Sequence, residues 1–149
     1  MNMIALVQRV LSASVSSNDS VLASINKGLV VLIGISSNDS EDDIHYIVDK
    51  VSNLRIFSNE NGHFDESIIN VSGSVLLVSQ FTLMGSTKKG RRPSFQDAMN
   101  PVEARGLYCK LVDEFHSTGL DIKTGQFQTN MQVSLVNDGP VTVIVDSKK

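Results

Sequence analysis

The sequence predicts an α+β fold: a single domain, residues 1–149, in which a mixed, barrel-like set of β-strands accompanies two main helices. Two observations predict the helices, because helix-start residues precede apolar residues at helical spacing after Ser40 and again after Asn100. A third observation predicts the strands, since apolar and β-branched runs separated by turn-forming residues occupy much of the remaining chain. No internal repeat, low-complexity tract or linker interrupts this pattern, so one core is expected.

Composition and charge describe a globular protein and exclude several classes of function. Hydrophobic residues make up 41% of the chain and charged residues 19%, which excludes a disordered or fibrous protein. The net charge of −3 gives no overall attraction to nucleic acid, so any such contact must come from a local patch. The single cysteine, Cys109, permits no internal disulfide, and no Cys/His spacing matches a zinc site. Because the sequence has neither a signal-peptide core nor an apolar run of about 18 residues, it predicts a cytoplasmic protein without a membrane segment.

The N-terminal third predicts three strands and one unusual arginine. Met3–Val15 and Val21–Asn26 are separated by a polar turn, and the apolar run Leu29–Ile35 is typical of a strand buried on both faces. Arg9 interrupts the first strand. Two interpretations are open for it: an arginine exposed at the rim of the sheet, or a guanidinium that clamps backbone carbonyl groups elsewhere in the fold.

Both predicted helices begin with recognisable capping residues. Ser40 and Asp43 have capping-box spacing, with aspartate in the usual glutamate position. Asn100 precedes Pro101 as cap and first helical residue, and Gly119 ends the second helix. The apolar residues at helical spacing predict the buried faces: Ile44, Ile47, Val48, Val51 and Leu54 in the first helix, and Leu107, Tyr108, Leu111, Val112 and Phe115 in the second.

The remaining strands are predicted from shorter apolar runs: Arg55–Ser58, Ser74–Phe81, Leu120–Thr124, Met131–Val136 and Val141–Val145. Polar residues abruptly follow the second of these runs in the stretch Ser79-Gln80-Phe81-Thr82. Their partners are either ordinary strand-end hydrogen bonds or a ligand. Thr82 is a candidate nucleophile, although no Gly-x-Ser-x-Gly elbow or obvious histidine partner accompanies it.

One loop concentrates positive charge within this acidic protein. Four cations, Lys88, Lys89, Arg91 and Arg92, flank Gly90 within five residues. The loop is either a solvated surface loop or a phosphate contact, in which glycine permits close approach and the arginines offer forked donors.

The segment Asn137–Thr142 lies between two predicted strands. Asn137, Asp138 and Gly139 suit a hairpin turn, but Pro140 has no N–H for a sheet ladder, so the following strand must lie at an edge or carry an irregularity. A simple turn and a functional loop both remain open. Gly139-Pro140 is also the best candidate for a cis peptide bond. The segment Gly125–Asn130 is a second candidate site wall, although Phe127 and the neighbouring Met131 are ordinarily core residues.

Several motifs together resemble one known family along nearly the full chain. They are Gln8–Val10, Asn53–Phe57, Ser79–Leu83, Lys89–Phe95 and Val133–Thr142. In this order and at these separations, they resemble the bacterial and eukaryotic type of D-aminoacyl-tRNA deacylase. The resemblance implies a homodimer that acts on the 3′ end of aminoacyl-tRNA. It also implies a site that contains Ser79–Thr82 and receives a Gly-cis-Pro pair, Gly139-Pro140, from the partner subunit.

The resemblance also implies how such a site hydrolyses an ester without cofactor or metal. The terminal ribose 2′-hydroxyl helps to activate water, and backbone N–H groups around Phe81 and Thr82 face the substrate. Ser79 and Gln80 shape the ester and adenosine region, while Arg9 braces the Gly139-Pro140 loop. The remaining supporting residues are Phe127, Met131 and Asn137. The basic loop is assigned by hypothesis to the tRNA acceptor stem.

Distinguishing D- from L-amino acids is harder for this site than hydrolysing the ester. A hydrophobic pocket gains only about 1–3 kcal/mol per methylene, so an L side chain must be excluded by a wall rather than by weaker attraction. Backbone at Gly139-Pro140 is the predicted wall. The D side chain is then expected to vary widely, and glycyl-tRNA, which has no side chain to exclude, is expected to be accepted.

One departure and two alternatives accompany the assignment. Gln128-Thr129-Asn130 occupies a position where members of the family often have smaller residues, which affects the shape of the pocket. The first alternative function is a non-catalytic module that binds the tRNA 3′ end. The second is a serine or threonine hydrolase of small esters, with Thr82 as the nucleophile.

Overall fold

The computed structural model describes residues 2–148; Met1 and Lys149, the ends of the predicted domain, lie outside the described residues. It confirms the α+β class. No helix in the described part of the chain is both long enough and apolar enough to cross a membrane. The elements in chain order are β1 (Ile4–Ser17), β2 (Ser20–Ile25), β3 (Gly28–Gly34), α1 (Glu41–Asn53), β4 (Phe57–Ser58), β5 (Phe64–Glu66), β6 (Ser74–Ser79), a 3₁₀ helix (Phe81–Met84), α2 (Pro101–His116), β7 (Asp121–Thr124) and β8 (Gln132–Asp146).

The main sheet is mixed and is organised around the long strand β1. One edge of β1 pairs antiparallel with β3 along Ile4–Val10 and with β2 along Ala13–Ser17, whereas β8 pairs antiparallel along its other edge. From β3 the sheet continues through β6 to β7, and both of these pairings are parallel. The predicted barrel-like arrangement is confirmed, because β2, at one end of the strand order, also contacts β6 and β7 at the other end.

The sheet is buried on both faces, as the apolar run in β3 predicts. Leu29 and Val31 belong to the large core cluster under the helices, while Val30, between them, belongs to a smaller cluster on the opposite face. This alternation follows from the two-residue period of a strand. The helices cover the larger cluster with their predicted faces: Ile44, Ile47, Val48 and Val51 from α1, and Tyr108, Leu111 and Phe115 from α2.

The predicted capping box at the start of α1 is present and also anchors the end of the chain. The Ser40 N–H donates to Asp43 Oδ2 at 2.8 Å, and the Ser147 hydroxyl donates to Asp43 Oδ1 at 2.6 Å. Burial raises the pKa of the Asp43 carboxyl, but hydrogen bonds from Ser147 and Ser40 and the charge of Lys148 outweigh it, so the pKa is lowered. The ionised carboxylate therefore ties the end of β8 to α1.

Several predicted strand boundaries are wrong; the strand predicted over Arg55–Ser58, for example, begins only at Phe57. The strand predicted over Ser74–Phe81 ends at Ser79, and Phe81 begins a 3₁₀ helix instead. The strands predicted over Met131–Val136 and Val141–Val145 form one strand, β8, and both halves pair with β1. The hairpin interpretation of Asn137–Pro140 is therefore excluded, because a hairpin would pair the two halves with each other.

Candidate active site

A cavity of about 750 Å³ opens where the parallel strands β3 and β6 end. Ligands commonly bind beyond the carboxyl ends of parallel strands, where no strand continues to fill the space. The cavity is lined by residues from four regions of the chain: Ile33 and Ile35 near the end of β3; Val78, Ser79, Gln80 and Phe81 at and after the end of β6; Phe95, Ala98, Met99, Asn100, Pro101 and Ala104 in the segment before α2 and in its first turn; and Phe127, Gln128, Thr129, Asn130, Met131 and Val133 before and within β8.

The end of β6 gives this cavity its polar floor. The Gln80 N–H donates to Ile33 O at 2.7 Å, and the chain then turns into the 3₁₀ helix. The side-chain amide of Gln80 donates to the Thr82 hydroxyl. Phe81 and Thr82 are the first two residues of the helix, so no preceding helical turn offers a carbonyl to their N–H groups. Phe81 lines the cavity and Thr82 follows it, so two amides without a helical partner lie at this end of the cavity.

A close approach at Gly34 fixes the 3₁₀ helix against β3. A Cβ atom at Gly34 would lie 2.8 Å from Leu83 Cβ and 2.9 Å from Met84 Cε. Only a residue without a side chain permits this approach, since both distances are shorter than any van der Waals contact. Gly34 therefore sets where the amides of Phe81 and Thr82 lie.

Aromatic contacts connect the floor of the cavity to the basic loop. The rings of Phe81 and Phe95 meet edge to face with centroids 5.4 Å apart, and 60% of Phe81 is exposed. Just before Phe95, paired backbone hydrogen bonds of 2.7 and 2.9 Å join Ser86 and Ser94. These bonds close the base of the loop that carries Lys88, Lys89, Arg91 and Arg92, all of which are exposed. The four cations therefore lie on an exposed loop that ends next to Phe95, a residue that lines the cavity.

The opposite wall is the loop before β8, which packs on α2. The Phe127 ring lies 5.6 Å from the Tyr108 ring and 5.0 Å from the Arg105 guanidinium carbon. Burial raises the pKa of Tyr108, which stays neutral and donates to Leu77 O at 3.3 Å. Gln128 follows with a φ of +55°, in the left-handed region that non-glycine residues rarely occupy. Because Phe127 and Met131 line the cavity, they are more than core residues.

A large bulge interrupts β8 opposite Arg9. Gln8 pairs with Thr142 and Val10 pairs with Asn137, so residues 138–141 all lie opposite Arg9 alone. The Gly139-Pro140 peptide bond is cis, and Gly139 has a φ of +132°, which suits glycine alone. The Asn137 side-chain amide closes the bulge by donating to Arg9 O at 2.8 Å and to Val141 O at 3.1 Å. The predicted irregularity at Pro140 is thus a bulge on an edge strand.

The side chain of Arg9 holds the backbone of this bulge. Its Nε donates to Asp138 O at 3.2 Å and lies 3.3 Å from Asp138 Oδ2, while its Nη1 donates to Ile56 O at 2.7 Å. Only 8% of Arg9 is exposed, so the interpretation of a rim-exposed arginine is wrong. The alternative, a guanidinium that clamps backbone carbonyl groups, describes these contacts.

The predicted site residues fall into two groups that one chain does not bring together. Ser79, Gln80, Phe81, Phe127 and Met131 line the cavity, and Thr82 follows them in the 3₁₀ helix. In contrast, Gly139 and Pro140 lie in the bulge, Asn137 closes it and Arg9 holds it, and none of these four is among the residues that line the cavity.

Several residues that shape these two groups were not predicted from the sequence to have a role at the site. Gly34, Tyr108 and Arg105 support the cavity, whereas Ile56 and Phe64 surround the guanidinium of Arg9. The only signal for Gly34 is a glycine inside an apolar run, which often marks a close approach of backbone.

The chemistry available in the cavity comes from neutral groups. Among the described residues that line it, the polar side chains are the amides of Gln80, Asn100, Gln128 and Asn130 and the hydroxyls of Ser79 and Thr129. No group of three or more His, Cys, Asp or Glu residues within residues 2–148 is arranged to hold a metal ion. The arrangement can bind and orient a ligand and can stabilise a developing negative charge through amide donors.

Comparison with known proteins identifies the family. The family model described as D-Tyr-tRNA(Tyr) deacylase matches residues 6–146. A D-aminoacyl-tRNA deacylase from Thermoanaerobacter sp. (strain X514) is 50% identical over 145 residues, 97% of either chain. Another from Bacillus pumilus (strain SAFR-032) is 48% identical over 144 residues, 97% of this chain and 98% of that one.

Solved structures share the fold over nearly the whole chain. The c-Myc DNA Unwinding Element Binding Protein superimposes with a TM-score of 0.93 at 39% identity, covering 98% of this chain and 99% of that one. A probable eukaryotic D-amino acid tRNA deacylase gives a TM-score of 0.85 at 16% identity, over 98% of this chain and 100% of that one, and so shows the fold alone. From the family model and the close relatives, the chain belongs to the D-aminoacyl-tRNA deacylase family, the family of ester hydrolases that its motifs resemble.

Proposed function

We propose that this protein hydrolyses the ester bond of D-aminoacyl-tRNA and releases the free D-amino acid and tRNA. The observation that carries the proposal is the pair of backbone amides, Phe81 and Thr82, that begins the 3₁₀ helix beside the cavity. Ester hydrolysis develops negative charge on the carbonyl oxygen, and preorganised N–H donors stabilise that charge. Ser79 and Gln80, on the floor of the cavity, orient the ester and the terminal adenosine.

In the proposed mechanism, the substrate supplies the group that activates water. The polar side chains that line the described cavity are amides and hydroxyls, which are poor general bases near neutral pH. The 2′-hydroxyl of the terminal ribose lies next to the ester in the substrate and assists the attack. Thr82 then positions groups through its backbone and through the hydrogen bond from Gln80. Phe127 and Met131 support the bound end of the tRNA from the opposite wall.

In the same proposal, the bulge of one subunit rejects L-amino acids in the cavity of a second subunit. The bulge lies on β8, which pairs only with β1 among the described strands, and Gly139 and Pro140 are exposed. An exposed edge strand favours pairing with another chain. Backbone at the bulge would clash with an L side chain but would leave a D side chain free, and glycyl-tRNA would also be accepted.

A homodimer is required to bring the cavity and the bulge together. Leu11 and Val136, on neighbouring strands, are 54% and 51% exposed, as expected for an apolar contact surface. A charge at Val136 is expected to disrupt this surface. In a sedimentation experiment, a dimeric wild type and a monomeric Val136→Glu variant would support the proposed assembly. A monomeric wild type would contradict it.

The basic loop is proposed to bind the phosphate backbone of the tRNA acceptor stem. Its four cations are exposed on a loop that ends next to Phe95, which lines the cavity where the 3′ end of tRNA would bind. The double variant Arg91→Ala/Arg92→Ala should bind tRNA more weakly and with a flatter dependence on salt concentration, by about 0.7 to 0.9 in log-log slope for each phosphate that is no longer neutralised. Unchanged binding would mean that the loop is only a solvated surface.

The proposal is tested by hydrolysis of tyrosyl-tRNA in its D and L forms by the purified protein without added metal. Release of tyrosine from the D form alone is expected. Equal cleavage of the two forms would contradict the proposed function. If both forms were bound but neither were cleaved, the protein would be a module that binds the tRNA 3′ end.

Thr82→Ala tests the remaining alternative, a serine or threonine hydrolase of small esters with Thr82 as the nucleophile. Substrate-assisted hydrolysis predicts substantial residual activity, because the backbone amide remains in place. A side-chain nucleophile predicts loss of all turnover.

The proposed deacylase acts on aminoacyl-tRNA during translation, so we place it in the cytoplasm.

A further inference from the structure

A short hairpin packs against the guanidinium group that holds the bulge. In this hairpin β4 and β5 pair antiparallel, with Ser58 opposite Phe64. Ile56, directly before β4, accepts the hydrogen bond from Arg9 Nη1 at 2.7 Å. The Phe64 ring centroid lies 5.4 Å from the Arg9 guanidinium carbon. Arg9 therefore contacts the hairpin on one side and the bulge, through Asp138, on the other.

We infer that Phe64 is a positioning residue that fixes the chirality-rejecting bulge through Arg9. This inference rests on the proposed function, since it assigns the residue a part in rejecting L-aminoacyl substrates. Phe64 does not line the cavity, and its ring faces the guanidinium of Arg9, so its influence on the bulge passes through that group.

The geometry of arginine explains why an aromatic ring is useful at this place. Hydrogen bonds to Ile56 and Asp138 use the edge of the planar guanidinium and leave its faces without polar partners. An aromatic ring attracts the cation through its π-electrons, and so it helps to fix the plane of the guanidinium as well as its position. Phe64 remains 56% exposed, so burial in the core does not account for where it lies.

The backbone of the bulge is in contact with this guanidinium, so a movement of one would displace the other. The position that a Cβ atom would take at Gly139 lies only 2.6 Å from Arg9 Nη2, which means that the guanidinium lies directly against the glycine backbone. The neighbouring carbonyl of Asp138 accepts from Arg9 Nε at 3.2 Å. A rotation of Arg9 would therefore release Asp138 and change the position of the backbone that the proposal treats as a wall.

The test compares Phe64→Ala, Phe64→Leu and Phe64→Tyr with the wild type. The alanine and leucine variants lack the π-face, whereas the tyrosine variant keeps it. We expect the first two to raise the rate on L-tyrosyl-tRNA relative to the D form by roughly two- to fivefold, the factor that corresponds to an exposed cation–π contact. Phe64→Tyr should restore the wild-type ratio. His63→Ala is the matched control, because His63 is an exposed neighbour in the same segment.

A second measurement reads the position of Arg9 without using activity. Exchange of the Arg9 Nε–H proton with solvent, followed by nitrogen-15 NMR, should be faster in Phe64→Ala and Phe64→Leu than in the wild type and Phe64→Tyr. Unchanged exchange and an unchanged D-to-L ratio in Phe64→Ala would overturn the inference. Wild-type behaviour of Phe64→Leu would also overturn it, because packing alone would then suffice. If the wild type itself did not discriminate, the proposed function would fail, while the exchange measurement would still test the contact.

Discussion

The cavity and the bulge are held in place by different kinds of structure. The cavity opens where the buried strands β3 and β6 end, and its floor is fixed by the fit of Gly34 against the 3₁₀ helix. The bulge lies on the exposed edge strand β8 and depends on polar contacts from Arg9 and Asn137. Packing in the core therefore sets the position of the proposed hydrolytic groups, whereas a few hydrogen bonds set the position of the proposed chiral wall.

The largest expected effect comes from removing the guanidinium that holds the bulge. Arg9→Ala leaves the carbonyls of Ile56 and Asp138 without their donor and should lower the free energy of unfolding by about 2–4 kcal/mol. It should also raise the relative rate on L-tyrosyl-tRNA. Chemical denaturation and the two hydrolysis rates measure these effects.

Arg55→Ala is the matched control for this variant. The Arg55 side chain is 74% exposed and lies 3.5 Å from Asp65, so its loss should cost less than about 1 kcal/mol and leave selectivity unchanged. If Arg9→Ala and Arg55→Ala lowered the free energy of unfolding equally, the buried contacts of Arg9 would contribute no more to stability than an exposed ion pair.

The next effect tests the cavity rather than the bulge. Gly34→Ala places a methyl group 2.8 Å from Leu83 Cβ, and overpacking of this kind typically costs about 1–3 kcal/mol. The displaced 3₁₀ helix should slow hydrolysis of the D form, measured as initial rates with saturating tRNA. Gly106→Ala is the control: nothing lies within 4 Å of a Cβ there, so the helix α2 should gain up to about 1 kcal/mol. A Gly34→Ala enzyme as fast as Gly106→Ala would contradict the role of this close approach.

A smaller effect is expected far from both regions, where Asp43 anchors the end of β8. The pKa of Asp43 is lowered in the folded state, so its ionised form stabilises the protein above the ordinary carboxyl pKa, and this stabilisation is lost as pH falls through the lowered value. Asp43→Asn should therefore lower the free energy of unfolding by about 1 kcal/mol at pH 7, and by less in acid.

Comparison of the variant with the wild type at each pH cancels the part of the Asp39 contribution that comes from burial, but not the part that comes from repulsion by Asp43. Burial raises the pKa of Asp39, which therefore changes stability in the opposite direction as pH falls. Denaturation curves from pH 3 to 7 measure the difference. A constant difference across this range would contradict the assignment to the Asp43 carboxylate, and the D-to-L ratio should not change.

Much of the fold could be predicted because local patterns specified it. The apolar run of β3, the capping box at Ser40 and the Asn100-Pro101 helix start all lie within single segments. The end of β6 was predicted two residues late, because Phe81 continues the apolar pattern. What stops the strand is its neighbour, since β3 approaches the 3₁₀ helix at Gly34.

The candidate site was predicted less completely, because it depends on contacts between distant segments. The apolar runs around Asn137–Pro140 suit a hairpin and a bulge equally, and only the pairing of both halves with β1 decides between them. Likewise, nothing local indicates that Phe64 lies over the guanidinium of Arg9. The resemblance of motifs predicted residues that lie in the cavity and in the bulge, but their supporting contacts required the tertiary structure.

If the cavity sets the rate and the bulge sets the chirality, variants of the two regions must change different quantities. The decisive quantity is the ratio of the rates on D- and L-tyrosyl-tRNA in the wild type, Gly34→Ala and Arg9→Ala. We expect Gly34→Ala to slow both reactions with an unchanged ratio, whereas Arg9→Ala should shift the ratio towards the L form. A ratio that changes with the cavity variant and stays constant with the bulge variant would contradict this division of roles.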